Sequence, residues 1–118
     1  MIKVADLREW RGHDVVDEEG RRIGSLESVY VDTSTDEPFF ATVTTGLPTR
    51  RRLVFVPLPG ATAGPDYLKV AYERGVIRKA PSIGVDDVLP MEDEPAIFVH
   101  YGLTYAPGAG GGRRLARR

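Results

Sequence analysis

Three arginines stand in a row at Arg50, Arg51 and Arg52, and no other stretch offers so sharp a chemical signal. They follow a Gly46–Pro48 turn, so their side chains are expected to fan out from one loop. Neighbouring guanidinium groups repel one another unless an anion or an acidic surface balances them. One reading is charge protection of an exposed strand edge. The other is binding of an acidic partner or a phosphate backbone. Arg113, Arg114, Arg117 and Arg118 form a second basic place. Neither place has interleaved aromatics on which bases could stack, so sequence-specific RNA binding is not expected. Trp10, in LREWRG, packs into a core by default; otherwise it anchors an interface. Arg50, Arg51, Arg52 and Trp10 are therefore the candidate partner-binding residues.

Other polar groups carry weaker signals. His13 and His100 are too far apart in sequence to form a close ligand pair, and a metal site needs at least three suitable groups. Ser25 and Ser28 lie in a strand pattern, with no G-x-S-x-G elbow. Asp32, Ser34 and Asp36 open like a calcium loop. Glu37 then stands where the loop requires Gly, and Val43 where it requires Glu. Asp86, Asp87, Glu92, Asp93 and Glu94 read as a solvated loop and a helix N-terminus, or else as a weak cation site or a docking patch for a basic partner. The run Gly108 to Gly112 lacks the Lys-Ser/Thr ending of a phosphate loop and reads as flexible linker. With no cysteine there is no disulfide and no thiolate chemistry. No catalytic, cofactor or metal residue is assigned.

The elements that must carry these residues fit one domain. The chain has 118 residues, 42% hydrophobic and 28% charged, enough to bury a core without staples. Its opening residues are broken by charge too often for a signal peptide, and no apolar run is long enough to span a membrane. A soluble, cytoplasmic protein is expected. Charge is uneven. Residues 1–107 carry 12 Lys/Arg against 17 Asp/Glu, a net −5, whereas residues 108–118 carry four Arg and no acid. An acidic body argues against nucleic-acid binding.

Periodicity predicts strands over 14–17, 21–32, 38–45, 52–58 and 67–72. Gly20 closes a tight turn, and Gly24 marks a bulge or bend inside the second strand. Val76, Ile77 and Ala80 give one helical turn before Pro81. One convincing helix follows. It starts no earlier than Asp93 because Pro95 must lie in its first turn, it aligns Ile97, Phe98 and Tyr101, and it stops at Gly102. The domain is expected to span 1–107. Residues 108–118 are expected to be a disordered Gly/Arg-rich tail. Five or six short strands with one terminal helix predict a mainly β small barrel or sandwich.

The central strands do not alternate apolar with polar. Leu53 and Phe55 oppose Val54 and Val56; Ile23 and Val29 oppose Leu26 and Tyr30. Both faces of the sheet must be covered. The C-terminal helix can cover part, and a second subunit is expected over the rest. Phe40, Val54, Val56 and Tyr30 are the candidate dimer interface.

Several segments share the order and spacing of a known family. The stretch Arg11 to Asp32, with Gly12, Val15, Asp17, Gly20, Ile23 and Gly24, resembles the opening of PRC-barrel domains. So do PFFATVTTGL, the segment Val56 to Ala61, the pair Ala80–Pro81 and the closing Val99 to Leu103. The resemblance covers roughly residues 5–103. The family is known from the cytoplasmic domain of the photosynthetic reaction-centre H subunit and the C-terminal domain of a ribosome-maturation factor, with free-standing bacterial and archaeal members. It implies a small PRC-type β-barrel used for protein contacts. Unlike in those two members, no transmembrane helix and no second N-terminal barrel are expected beside it.

The function expected is a non-catalytic protein-interaction module, a homodimeric scaffold or adaptor with an unidentified protein partner, without cofactor or membrane insertion. A ribosome- or RNA-associated factor using the arginine loop and tail is the alternative, and a small-ligand binder the second.

Overall fold

β-Branched and aromatic residues fill the first half of the chain, and they form the sheet. The computed structural model describes residues 4–46 and 49–118; Leu47 and Pro48, within the expected Gly46–Pro48 turn, lie outside the described residues. A short helix α1 (Val4–Glu9) leads in, which sequence periodicity did not indicate. Strands β1 (Asp14–Val16), β2 (Arg22–Asp32), β3 (Glu37–Thr45) and β4 (Arg52–Pro57) follow as an antiparallel meander. Next come β5 (Thr62–Ala63), β6 (Tyr67–Lys69), helix α2 (Arg74–Arg78) and β7 (Ser82–Gly84). The C-terminal helix α3 (Glu94–His100) is followed by β8 (Leu115–Arg117). The order along the sheet is β5-β6-β1-β2-β3-β4-β7, with β8 added onto β2. No ladder joins β5 to β7 among the described residues, so hydrogen bonds do not close the curled sheet.

β2 is the spine. Its pairing with β3 shifts register between Leu26 and Ser28 and again between Tyr30 and Val31. Such irregularities bend a strand and increase its twist. One edge of β2 can then serve two partners, β1 at Arg22 to Ser25 and β8 at Tyr30 to Asp32. Gly24 is needed for a steric reason. A Cβ there would stand 2.1 Å from the carbonyl oxygen of Thr44 on β3.

The helices obey the local signals. Pro95 sits in the first turn of α3, and Gly102 follows with φ +70, a left-handed conformation that ends helices. α2 stops ahead of Pro81, as the helical turn expected there does. Among the described residues, no helix is long and apolar enough to cross a membrane.

Both faces of the central strands are buried, but this chain covers them itself. Tyr30 and Phe40 are cross-strand partners, and the Phe55 ring lies 5.0 Å from that of Tyr30. α3 lies over this group: Phe98 is 5.3 Å from Phe40, and the Tyr101 hydroxyl donates to the Phe55 carbonyl. The Tyr30 hydroxyl accepts from the Leu89 N–H at 3.1 Å. Val54 and Val56 pair with Val43 and Ala41, and neither valine is more than 4% exposed. The assignment of Phe40, Val54, Val56 and Tyr30 to a dimer interface is therefore corrected. All four are core residues, each adding about 1.5–3 kcal/mol of burial where aliphatic or aromatic side chains leave water. The alternation argument correctly required a cover on each face. The curl of the sheet and α3 provide it.

The disordered tail is also corrected. β8 pairs with β2 in register, Tyr30 with Arg117, Val31 with Ala116 and Asp32 with Leu115, and Leu115 is fully buried. Low apolar content misled because one leucine and a free strand edge suffice to seat a three-residue strand.

Candidate partner-binding surface

The buried carboxylates tie segments of the chain to one another. Asp17 follows β1 with its carboxylate wholly inside. It accepts from the N–H groups of Glu19, Arg21 and Arg74 and from the Arg21 guanidinium. Burial pushes its pKa up, but these donors outweigh burial and hold it below the usual carboxylate value. Asp17 thus ties the β1–β2 turn to the start of α2.

Asp32 ends β2 and meets Arg114 of the tail at 2.9 Å, while its other oxygen caps the Ser34 N–H at 2.8 Å. Burial again opposes ionisation, and the Arg114 guanidinium and Ser34 overcome it, so its pKa is lowered. The calcium-like Asp32–Asp36 stretch is therefore occupied by an arginine contact.

Glu94, read from sequence as part of a solvated acidic cluster, is fully buried. Its Oε1 accepts from the Arg114 N–H at 3.0 Å and from the Tyr105 hydroxyl at 2.8 Å; its Oε2 accepts from the Leu115 N–H at 2.8 Å. Burial, then the hydrogen bond its hydroxyl donates to the Glu94 carboxylate, raises the Tyr105 pKa. The Arg114 guanidinium stacks 5.7 Å above the Phe98 ring centre. Each buried carboxylate is thus engaged in holding one segment of the chain to another. Among the described residues, no three His, Asp or Glu side chains gather as a metal site. His100 Nε2 bonds the Val76 carbonyl at 2.7 Å, and His13 stacks beside Trp10.

The arginine loop does not act as one fan. Arg52 opens β4 and bends to β7, donating to the Ser82 hydroxyl at 2.8 Å and the Ser82 carbonyl at 3.1 Å. Arg50 is exposed. Arg51 lines a depression of about 640 Å³ together with Arg22 of β2 and Arg78 of α2. Trp10 is half-buried against the core at the end of α1, so packing is its role here, with one side accessible.

A second depression, of about 450 Å³, lies farther along β2. Arg8 and Arg11 line it from the N-terminal side, and Arg117 and Arg118 from the tail. Leu7, Val29, Leu53 and Val85 add an apolar lining. Glu27 lines both depressions, which therefore adjoin at that side chain; together they are called the trough along β2. Glu27 pairs with Arg11, Arg22 with Asp14, and Arg118 with Asp36. Among the described residues, no carboxylate pairs with Arg8, Arg51, Arg78 or Arg117.

Sequence reasoning named one lining arginine in the loop, Arg51, and noted the tail pair as detached. It missed Arg8, Arg11, Arg22 and Arg78, which lie on α1, in the turn after it, on β2 and on α2. The only sequence signal among them is Arg22, beside Arg21 at the start of the long strand; nothing local marks Arg8, Arg11 or Arg78.

Set beside known proteins, residues 3–77 match the family model described as PRC-barrel domain. No curated protein matches the chain.

Proposed function

The chain belongs to the PRC-barrel domain family, and on that footing we propose that it is a non-catalytic protein-interaction module, a scaffold or adaptor that works through its surface. One observation carries this reading. The buried carboxylates are all consumed in internal ties, while arginines converge on an open trough with an apolar lining. Catalysis needs poised acid, base or nucleophile groups facing a cavity. Docking needs exposed charge beside accessible surface, and here exposed Arg8, Arg51, Arg78 and Arg117 stand around the two depressions with Val85 exposed among them. The absence of cysteine supports a cytoplasmic setting.

Affinity capture with and without nuclease tests the reading. A protein partner that survives nuclease supports it. Loss of every partner on nuclease treatment overturns it in favour of a ribosome- or RNA-associated factor.

Homodimerisation belongs to the same proposal, with its contact moved to exposed side chains. Val99 of α3 is 70% exposed and Val76 of α2 is 39% exposed. The His100–Val76 bond holds the two helices together at that place. Sedimentation at micromolar concentration should show a dimer that Val99→Glu dissociates. A wild-type monomer removes self-association from the proposal.

A further inference from the structure

We infer that the trough along β2 takes an extended acidic peptide segment of a protein partner, and that the C-terminal strand, held by Glu94, completes the groove. The inference rests on the interaction-module reading and names the occupant.

Length comes first. From Arg22 to Val29 the spine covers about 23 Å at about 3.3 Å per residue, enough for a linear segment of about eight residues. Charge comes second. Seven arginines and one glutamate line the two depressions. Four of those arginines meet no carboxylate among the described residues, and all four are exposed. An occupant that supplies carboxylates along its length satisfies them, each by a paired guanidinium contact.

The lining decides between a peptide and a nucleic acid. Leu7, Val29 and Leu53 are buried at the edge of the first depression, and Val85 is exposed beside them. An apolar side chain set between acidic neighbours fits such a place; a phosphate backbone has nothing to bury there. No aromatic side chain lines either depression, so bases have no stacking surface. The body outside the tail carries 17 acidic against 12 basic side chains, which repels a long polyanion extending beyond the groove.

The tail supplies two of the seven arginines only because it is docked. Glu94 captures the N–H groups of Arg114 and Leu115, and β8 then runs along β2 to set Arg117 and Arg118 at the trough. Glu94 is a positioning residue for a groove it does not line.

Fluorescence anisotropy on the full chain tests this, with a labelled peptide of about eight alternating Glu and Leu residues and an oligouridine of about the same number of units as the competing probe. The peptide should bind, and binding should weaken steeply as salt rises from about 0.01 to 0.15 M. Replacing Arg8 and Arg117 with Ala should weaken it roughly threefold to thirtyfold. Glu94→Gln should weaken it by a similar factor. The double replacement Arg117→Ala with Arg118→Ala, which leaves the clamp intact, covers the case in which Glu94→Gln fails to fold. Arg50→Ala, outside the trough, should leave binding unchanged. Oligouridine binding more tightly than the peptide, no peptide binding, or binding indifferent to both salt and the arginine substitutions overturns the inference. A nuclease-resistant partner together with any of those results sinks the groove assignment and leaves the module reading standing. Loss of all partners to nuclease sinks the module reading itself.

Discussion

The two arginine-rich stretches behave in opposite ways. Arg50 to Arg52, one compact run, diverges: one side chain ties β4 to β7, one lines the trough, and one is exposed. Arg113 to Arg118, which follows a glycine run, is anchored along its length. Thr33 donates a hydrogen bond and an N–H to its carbonyls, Glu94 takes two of its N–H groups, Asp32 takes Arg114, and Leu115 enters the core. Composition made the tail the flexible partner of the pair. What anchors it is a set of waiting acceptors and one apolar socket, none of which lies within the tail.

The comparison can be broken most forcefully by removing residues 113–118. Deletion strips Glu94 of its backbone donors and empties the Leu115 socket, so stability should drop by roughly 3–5 kcal/mol, with Tm down by about 10 °C or more. An unchanged Tm in calorimetry would return the tail to disorder. Leu115→Ala isolates the socket and should cost about 2–4 kcal/mol in urea unfolding. If it costs nothing, the strand is held by hydrogen bonds alone.

Acid sharpens the comparison further, because it loosens the tail's tie to Asp32 while the loop has no such tie. The folded pKa values of Asp17 and Asp32 are lowered, so near pH 4 and below the unfolded chain binds more protons than the folded one. Their stabilisation is complete above the unfolded value of about 3.9 and is lost as pH falls through the lower folded values. Urea midpoints should therefore decline below about pH 4. Asp32→Asn should flatten that decline. An equally steep decline in the variant would assign it to other groups.

The smallest effects separate the members of the loop. Arg52→Ala loses its two contacts with Ser82 and should cost about 0.5–1 kcal/mol. Arg50→Ala and Arg51→Ala should stay within about 0.5 kcal/mol. Equal costs at all three would mean that the loop is one structural unit.

What sequence determined about this protein is what neighbours in the chain decide. The five strand patterns became β1, β2, β3, β4 and β6, because β-branched and aromatic preference and the turn residues between runs act over a few residues. Pro95 and Gly102 bracket α3 through backbone angles, and Gly24 marks the close approach of β3. The order of such segments also carried the family resemblance. Tertiary structure alone decided the rest. Phe40 and Val54 lie on opposite faces, and whether either face meets solvent depends on where α3 and the sheet curl bring other segments. Glu94 has the same local surroundings as Glu92 and Asp93, which remain exposed. It is buried because donors some twenty residues away, at Arg114 and Leu115, arrive on β8. The trough is likewise assembled from arginines that start on separate elements and converge only when β2 bends between them. Such effects depend on position in space, and residue type and spacing do not encode them locally.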